Sequence, residues 1–389
     1  MNSQHLSESC MYRILNASVL GILIATPIVI LPVDATVADE SSALRLKYQD
    51  RVDESVDRGL AFLASRQISA AEARDMGKPA LAGSFRDTRV PGNTGITSLA
   101  VMAFLAKGHT PGSGLYGQQI NQGIDYVLSQ QLDNGLLISE DRGGRTSGMM
   151  YSHSIATLLL CEVSGMVDLK RQKKIDQVLP RALLVLLQAQ KVPKSESNEG
   201  GWRYAPGTTA SDLSLTGWAI MALRAAKLNG AAIPDEHIAM AMSYILKCRS
   251  QDGSFTYMPG VGRGTASMTG VAVLCLELCG EHGHESIIPA GDFILSQPPQ
   301  ITDNRTGMPY RFRYYAFYYC GQAMFQLGGK YWETFATHMY ESLLSDQGKD
   351  GSWSYPAGGS QYSSTYPTAL AILTLTVSAR QLPIYQREE

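Results

Sequence analysis

Charge is scarce in this sequence. Asp, Glu, Lys and Arg make up 17% of its 389 residues and nearly cancel, leaving a formal charge of -2. No basic stretch offers an electrostatic footprint for nucleic acid, and no acidic tail is present. Cysteine is sparse and unpatterned. Cys10 lies near the N-terminus, and Cys161, Cys248, Cys275, Cys279 and Cys320 show no paired spacing. Most of the latter fall in apolar helical runs, so buried free thiols are expected rather than a disulfide framework. Cys275 and Cys279 share a helix face, yet neither a Cys-x-x-Cys nor a neighbouring His completes a ligand set, so no bound metal is expected. Nothing in the chain signals a cofactor.

The N-terminus is where long apolar sequence does occur. Arg13 precedes "ILNASVLGILIATPIVILPV", and small residues follow at Val33-Asp34-Ala35 and Thr36-Val37-Ala38. Residues 1–38 read as an export signal, with cleavage near Ala35 or Ala38 and a periplasmic or extracellular product. The alternative is a retained membrane anchor, because the stretch is about long enough to span. Cys10 lies before the apolar stretch, which excludes it as a lipoprotein cysteine. No later segment is apolar enough for a membrane crossing.

From Val52 onward the chain repeats one unit six times: an amphipathic segment, a glycine-rich turn and an apolar segment. The amphipathic segments include "VDESVDRGLAFLASRQ" and "FATHMYESLLSDQ", in which Val52, Val56, Leu60 and Leu63, or Phe335, Met339 and Leu343, form one apolar stripe. These are expected outer helices. Their partners, among them "TSLAVMAFLA", "TGWAIMALRAA" and "TYPTALAIL", have no polar face and must be enclosed. The recurring Thr97, Thr216, Thr269 and Thr365 suggest hydroxyl capping of the first turn, with His153 and Phe317 holding that place in the other units. Between the halves stand Gly83-Ser-Phe85, Gly200-Gly-Trp202, Gly253-Ser-Phe255 and Gly351-Ser-Trp353, with Gly135-Leu-Leu137 and Gly307-Met-Pro309 as degenerate copies. Glycine permits the turn and the aromatic covers the junction. The sixth apolar segment is as apolar as the middle ones, so the ends should meet. The expectation is an all-α fold, an α/α toroid of six helix pairs in two concentric layers over residues 50–380. An open superhelix is the alternative.

"QGKDGSW", Gln347 to Trp353, matches the Gln-x-x-x-Gly-x-Trp core of the repeat in squalene and oxidosqualene cyclases. The layout resembles the toroid of those cyclases and of protein prenyltransferase β-subunits. Squalene-hopene cyclases carry an Asp-x-Asp-Asp-Thr-Ala sequence whose middle Asp protonates the polyene. Here that stretch reads Asp212-Leu213-Ser214-Leu215-Thr216-Gly217, and Ser214 stands where the acid would be. A serine hydroxyl cannot protonate an alkene. The zinc set of prenyltransferases is likewise missing: "GVGRGTASMTG" supplies Arg263, similar to their diphosphate-binding region, without Asp or Cys, and "GGSQYSSTYPT" lacks His. The Gly-Cys-Gly-Glu-Gln of complement-type thioester toroids is absent. Polysaccharide-active toroids need two carboxylates on one cleft. Asp87, Glu140, Asp141, Asp212 and Asp303 lie in turns, and nothing pairs two of them.

Two residues remain as catalytic candidates, Asp212 and His153, each with a bland alternative as a helix-start hydrogen-bonding group. Ligand-binding candidates come from "YRFRYYAFYYCGQAMF", where Tyr310, Phe312, Tyr314, Tyr315, Phe317, Tyr318 and Tyr319 crowd ten residues. Aromatic faces of this kind line apolar pockets and stabilise cations, or pack between helices. Arg263, Arg311 and Arg313 offer a site for phosphate or carboxylate, and Trp218 is either core or a ligand platform. The sequence therefore supports an exported protein that binds an isoprenoid-like or other apolar small molecule. The alternative is a non-catalytic scaffold whose rim binds protein or cell-envelope material.

Overall fold

A computed structural model describes residues 35–86, 92–139, 148–300, 312–355, 364–379 and 381–385. Most of the expected export signal, Asp87, Glu140, Asp141, Asp303, the Gly307 turn, Tyr310 and Arg311 lie outside the described residues. The described chain is all helical: α1 Ala35–Arg66, α2 Ala70–Asp75, α3 Thr94–Ala106, α4 Gly117–Ser129, α5 Met149–Val163, α6 Leu169–Gln190, α7 Leu213–Leu228, α8 Asp235–Lys247, α9 Ala266–Leu278, α10 Ile287–Ser296, α11 Arg313–Leu327, α12 Gly329–Asp346 and α13 Thr365–Leu375. Only isolated β-bridges occur among them. No described helix is long and apolar enough to cross a membrane.

Burial sorts these helices into two layers as the hydrophobic pattern requires. On α1 and α12 a single stripe is buried, Val52, Val56, Leu60 and Leu63 on the first, Phe335, Met339 and Leu343 on the second. Every residue of α3 is buried, and so is every residue of α9 after Ala266. The enclosed helices α3, α5, α7, α9, α11 and α13 touch in that order, and α13 returns to pack on α3. The ring is closed. Each inner helix packs chiefly on the outer helix that follows it, so the unit read along the sequence, outer segment first, is offset by one helix from the packing unit. The last inner helix, α13, has no successor and takes α1 instead.

Glycines set how tightly the inner ring is drawn. A Cβ on Gly217 would stand 2.5 Å from Val271 of α9, and one on Gly270 would stand 2.8 Å from the Cys320 amide of α11. Both distances are below any real side-chain contact, so helix axes can come this close only where side chains are absent.

The turns carry a repeated device. Gln67 donates from Nε2 to the Gly83 carbonyl (3.0 Å) and to the Gln119 carbonyl of the next outer segment (2.8 Å). Gln131 joins Gly135 and Val178, Gln190 joins Gly200 and His237, and Gln347 joins Gly351 to Ser55 of α1. In the fourth unit Arg249 takes this place and pairs with Glu285 at 2.6 Å, just before α10. The glycine that follows has no alternative. Gly200 sits at φ 91° and Gly351 at φ 85°, and a Cβ on either would lie 2.1 and 2.4 Å from the carbonyls of Met240 and Arg58.

The recurring threonine serves this turn, which corrects the capping expectation. Thr97, Thr216 and Thr269 accept, through Oγ1, the backbone N–H of Phe85, Trp202 and Phe255 at 3.0 to 3.2 Å. In the sixth unit the residue is Thr368, 2.9 Å from the Trp353 amide. Thr365, three residues earlier, donates instead to the Arg86 carbonyl across the seam of the ring. The caps themselves come from Asn93, Asp212 and Thr265. Trp202 and Trp353 complete the device, donating from Nε1 to Leu186 and Leu343.

Removing one such bridge should be costly. Gln190 is buried and also receives the His237 ring at Oε1, so Gln190→Ala strands several buried groups and is expected to lower unfolding free energy by about 2 to 4 kcal/mol. Urea unfolding of this variant beside Gln118→Ala, an exposed position expected to shift stability by less than about 0.5 kcal/mol, checks the expectation.

A tyrosine-lined mouth around Asp212

The inner helices all begin at one end of the ring, and the start of α7 organises that end. Asp212 is fully buried there and caps the helix, its Oδ1 accepting the Leu215 amide at 2.8 Å. Its own amide donates to the Trp202 carbonyl. Burial pushes the carboxyl up to about 6, against the opposing pull of the Leu215 amide, the Tyr257 hydroxyl and the Arg203 charge. Arg203 Nε stands 3.9 Å from Oδ2.

Two residues on, Ser214 Oγ lies 2.8 Å from the Tyr151 hydroxyl and 2.9 Å from the Tyr315 hydroxyl. A single serine therefore joins α5, α7 and α11. Burial raises both phenols further above their ordinary range. They are neutral hydrogen-bonding groups, not phenolates. Beside them the hydroxyls of Tyr204 and Tyr257 meet at 2.7 Å, and the Arg203 guanidinium lies over both rings, 4.9 and 5.8 Å from their centroids. Below this polar layer Trp218 stacks on Tyr318 at 5.5 Å, and Tyr319 stands edge-on to both.

Of the residues singled out from sequence, Asp212, Ser214 and Tyr315 meet at this mouth, and Trp218, Tyr318 and Tyr319 meet beneath it. The rest lie elsewhere. His153 is fully buried with both ring nitrogens engaged: Nδ1 accepts the Leu137 amide at 3.0 Å and Nε2 donates to the Ala182 carbonyl at 3.1 Å. It occupies the threonine's place and does the threonine's work, and burial lowers its pKa to about 4. A neutral imidazole with no free nitrogen offers no base and no ligand. Tyr314 donates to the Ser354 carbonyl and packs edge-on against Tyr355. Arg313 is buried and held by Asp346, with Nε and one terminal nitrogen at 2.8 and 2.7 Å. Arg263 is exposed. Among the described residues no three His, Cys, Asp or Glu side chains converge as a metal site.

Four members of the mouth were missed in sequence, Tyr151, Arg203, Tyr204 and Tyr257, although for Tyr204 and Tyr257 a signal was present. Gly200-Gly-Trp-Arg-Tyr204, Gly253-Ser-Phe-Thr-Tyr257 and Gly351-Ser-Trp-Ser-Tyr355 share a tyrosine two residues after the turn aromatic. In a device whose aromatic points inward, the residue two further on is carried back to the same rim.

Solved structures resemble this ring. The type II terpene cyclase MstE from Scytonema superposes with a TM-score of 0.51 at 15% identity, covering 86% of this chain and all of that one. The chain has the fold of a type II terpene cyclase. A protein from Actinoplanes matches with a TM-score of 0.57 at 14% identity over 84% of this chain and 99% of its own. An alpha-amylase from Clostridium perfringens matches with a TM-score of 0.53 at 12% identity over 83% and 97%. No protein-family description and no curated protein matches the sequence. The fold spans different chemistries, so function must be argued from the mouth itself.

A carboxyl lifted to about 6 is a weaker acid than an ordinary aspartate and keeps its proton to higher pH. The same shift sets a stability signature. Because the folded state raises this pKa, its contribution is fully present below about pH 4 and is lost as pH rises through about 6. Asp212→Asn keeps a capping oxygen and removes the titration. The stability of this variant relative to wild type should therefore grow by about 3 kcal/mol between pH 4 and 7 and then level off, as read by urea unfolding at each pH. A difference that shrinks over that interval would show the carboxylate to be stabilised in place.

Proposed function

We propose that the chain is an exported binding protein for an apolar, isoprenoid-like molecule whose polar head sits among Tyr151, Ser214 and Tyr315. The observation that carries this reading is the bridging hydroxyl of Ser214, which sets two neutral phenols side by side above the Trp218, Tyr318 and Tyr319 rings. Phenols and a serine hydroxyl recognise a neutral oxygen by donating and accepting at once, while the rings beneath offer apolar surface. One structure of MstE holds geranylgeranyl dihydroxybenzoate, an isoprenoid chain on a phenolic head, at 12% identity to this chain. That ligand class is the one this mouth suits. Cyclisation is not part of the proposal, since Ser214 stands in the proton donor's place and Asp212 is a weakened acid tied to a helix cap.

The second reading, a scaffold that presents its rim to protein or envelope material, has an observation in its favour. Trp218, Tyr318 and Tyr319 are each no more than 1% exposed, so their rings already cover one another. Binding then requires them to part.

Squalene turnover and binding of geranylgeraniol, followed in wild type, Ser214→Asp, Asp212→Asn and Tyr315→Ala, separate these readings. Expected are no cyclised product from wild type, and binding weakened at least about tenfold in Tyr315→Ala through loss of a hydrogen bond and buried ring area. A cyclised product from wild type that vanishes in Asp212→Asn would make Asp212 the acid after all. No binding by any variant would favour the scaffold. Export is tested by sequencing the N-terminus of the mature protein, expected near Ala35 or Ala38. Both sites fall in the first turns of α1, ahead of Tyr48, the first core residue among the described side chains of that helix. A retained Met1 on a cytosolic product would refute export.

A further inference from the structure

The far end of the ring, where the inner helices finish, is crossed by the last described residues of the chain. A 3-10 turn at Val377–Ala379 leaves α13 and packs on α11. The chain then runs on to a second 3-10 turn, Pro383–Tyr385, which packs on α7. Between these points it has passed from one side of the ring to the other. Leu382 is 3% exposed and Ile384 fully buried, and the Ile384 amide donates to Glu162 Oε2 at 3.3 Å. Glu162 sits in the last turn of α5 and is itself buried. Residues 381–385 form no backbone-to-backbone hydrogen bond with any other described residue. Among the described groups, the side chains of Leu382 and Ile384 and one N–H tie this strap to the helices.

That composition has a meaning. The strap presents apolar surface and one hydrogen-bond donor to a buried carboxyl, which is what a small amphiphile with an O–H or N–H would present in its stead. A second observation lies on α11. Gln322 is fully buried and neither its amide nitrogen nor its amide oxygen has a partner. It shares a helix face with Tyr315 and Tyr319, two turns and one turn nearer the mouth, and so faces the interior of the ring. An orphaned amide there costs free energy that a hydrogen-bonding guest would recover.

We propose that the C-terminal strap is a displaceable plug of the ring's lower end, an internal stand-in for an apolar ligand bearing a hydroxyl or amide. Displacement opens the interior toward Gln322. This rests on the apolar-ligand reading above. A segment held by so few contacts opens at lower free energy than the helices around it.

Two measurements on the full chain test the plug, with N-phenylnaphthylamine, an apolar fluorophore with one N–H, as probe. In wild type, hydrogen exchange at the Ile384 amide should run at least about a hundredfold faster than at amides in the middle of α7, and faster again when probe is bound. Exchange as slow as in α7, or unmoved by saturating probe, overturns the plug. In Leu382→Asp/Ile384→Asp, whose helical content is followed by circular dichroism, probe association should rise at least about tenfold because the closed state no longer competes. Gln322→Met in that background should lose part of the gain. Equal rates in wild type and the strap variant would refute the plug and leave the ligand reading intact. No binding in either, with the strap exchanging freely, would refute the ligand reading and with it the plug's ligand.

Discussion

The structure depends on a glutamine amide that holds two backbone carbonyls at once. One belongs to the turn of its own unit and the other to the next outer segment, so the side chain fixes the angle between neighbouring units as well as the turn. Only a primary amide, with two donors on one nitrogen, does this without adding charge to a buried junction. Its partner glycine is needed for both its positive φ and its closeness to the neighbour's carbonyl. Because Gln347 applies the same bond to Ser55 of α1, the sixth unit is joined to the first as any unit is joined to the next. Closure is thus a repetition of the ordinary contact. This explains why no polar cap ends the chain of helices.

A ring fixed in this way has consequences for its interior. Glycines at 217 and 270 bring the inner helices almost backbone to backbone, and a small ring leaves little room inside. Tyrosine and tryptophan fill what there is, and their hydroxyls must find partners or stay wet. The pairs Tyr204 with Tyr257, and Tyr151 and Tyr315 with Ser214, are the solution at the end where the inner helices begin. At the other end the strap performs the same office with Leu382 and Ile384.

Helix identity, layer and ring closure were legible in the sequence because they depend on periodicity and on the absence of polar caps, both local properties of the chain. The duty of the recurring threonine was not. Its distance from the turn aromatic is set by the angle at which the turn meets the inner helix, and sequence spacing gave Thr365 where the bond is made by Thr368. His153 left two readings open for a related reason. A histidine where the repeat has threonine looks like new chemistry, but imidazole Nδ1 and a hydroxyl oxygen accept the same N–H equally well. Tyr151 and Ser214 lie 63 residues apart and meet only through the ring, so no local pattern announces them.

Ser214 also shows what chemistry its surroundings offer. In a cyclase an acid at that place must be strong, which requires hydrogen bonds that favour its ionised form. The surroundings of Ser214 are two phenols, each with a proton to share and neither able to accept a charge. A carboxyl in the place of the serine would receive two phenolic hydrogen bonds that favour its ionised form, against the burial that already raises Asp212 to about 6. The groups around the serine are neutral donors and acceptors of hydrogen bonds, so what they can exchange with one another is a proton's position and not a charge.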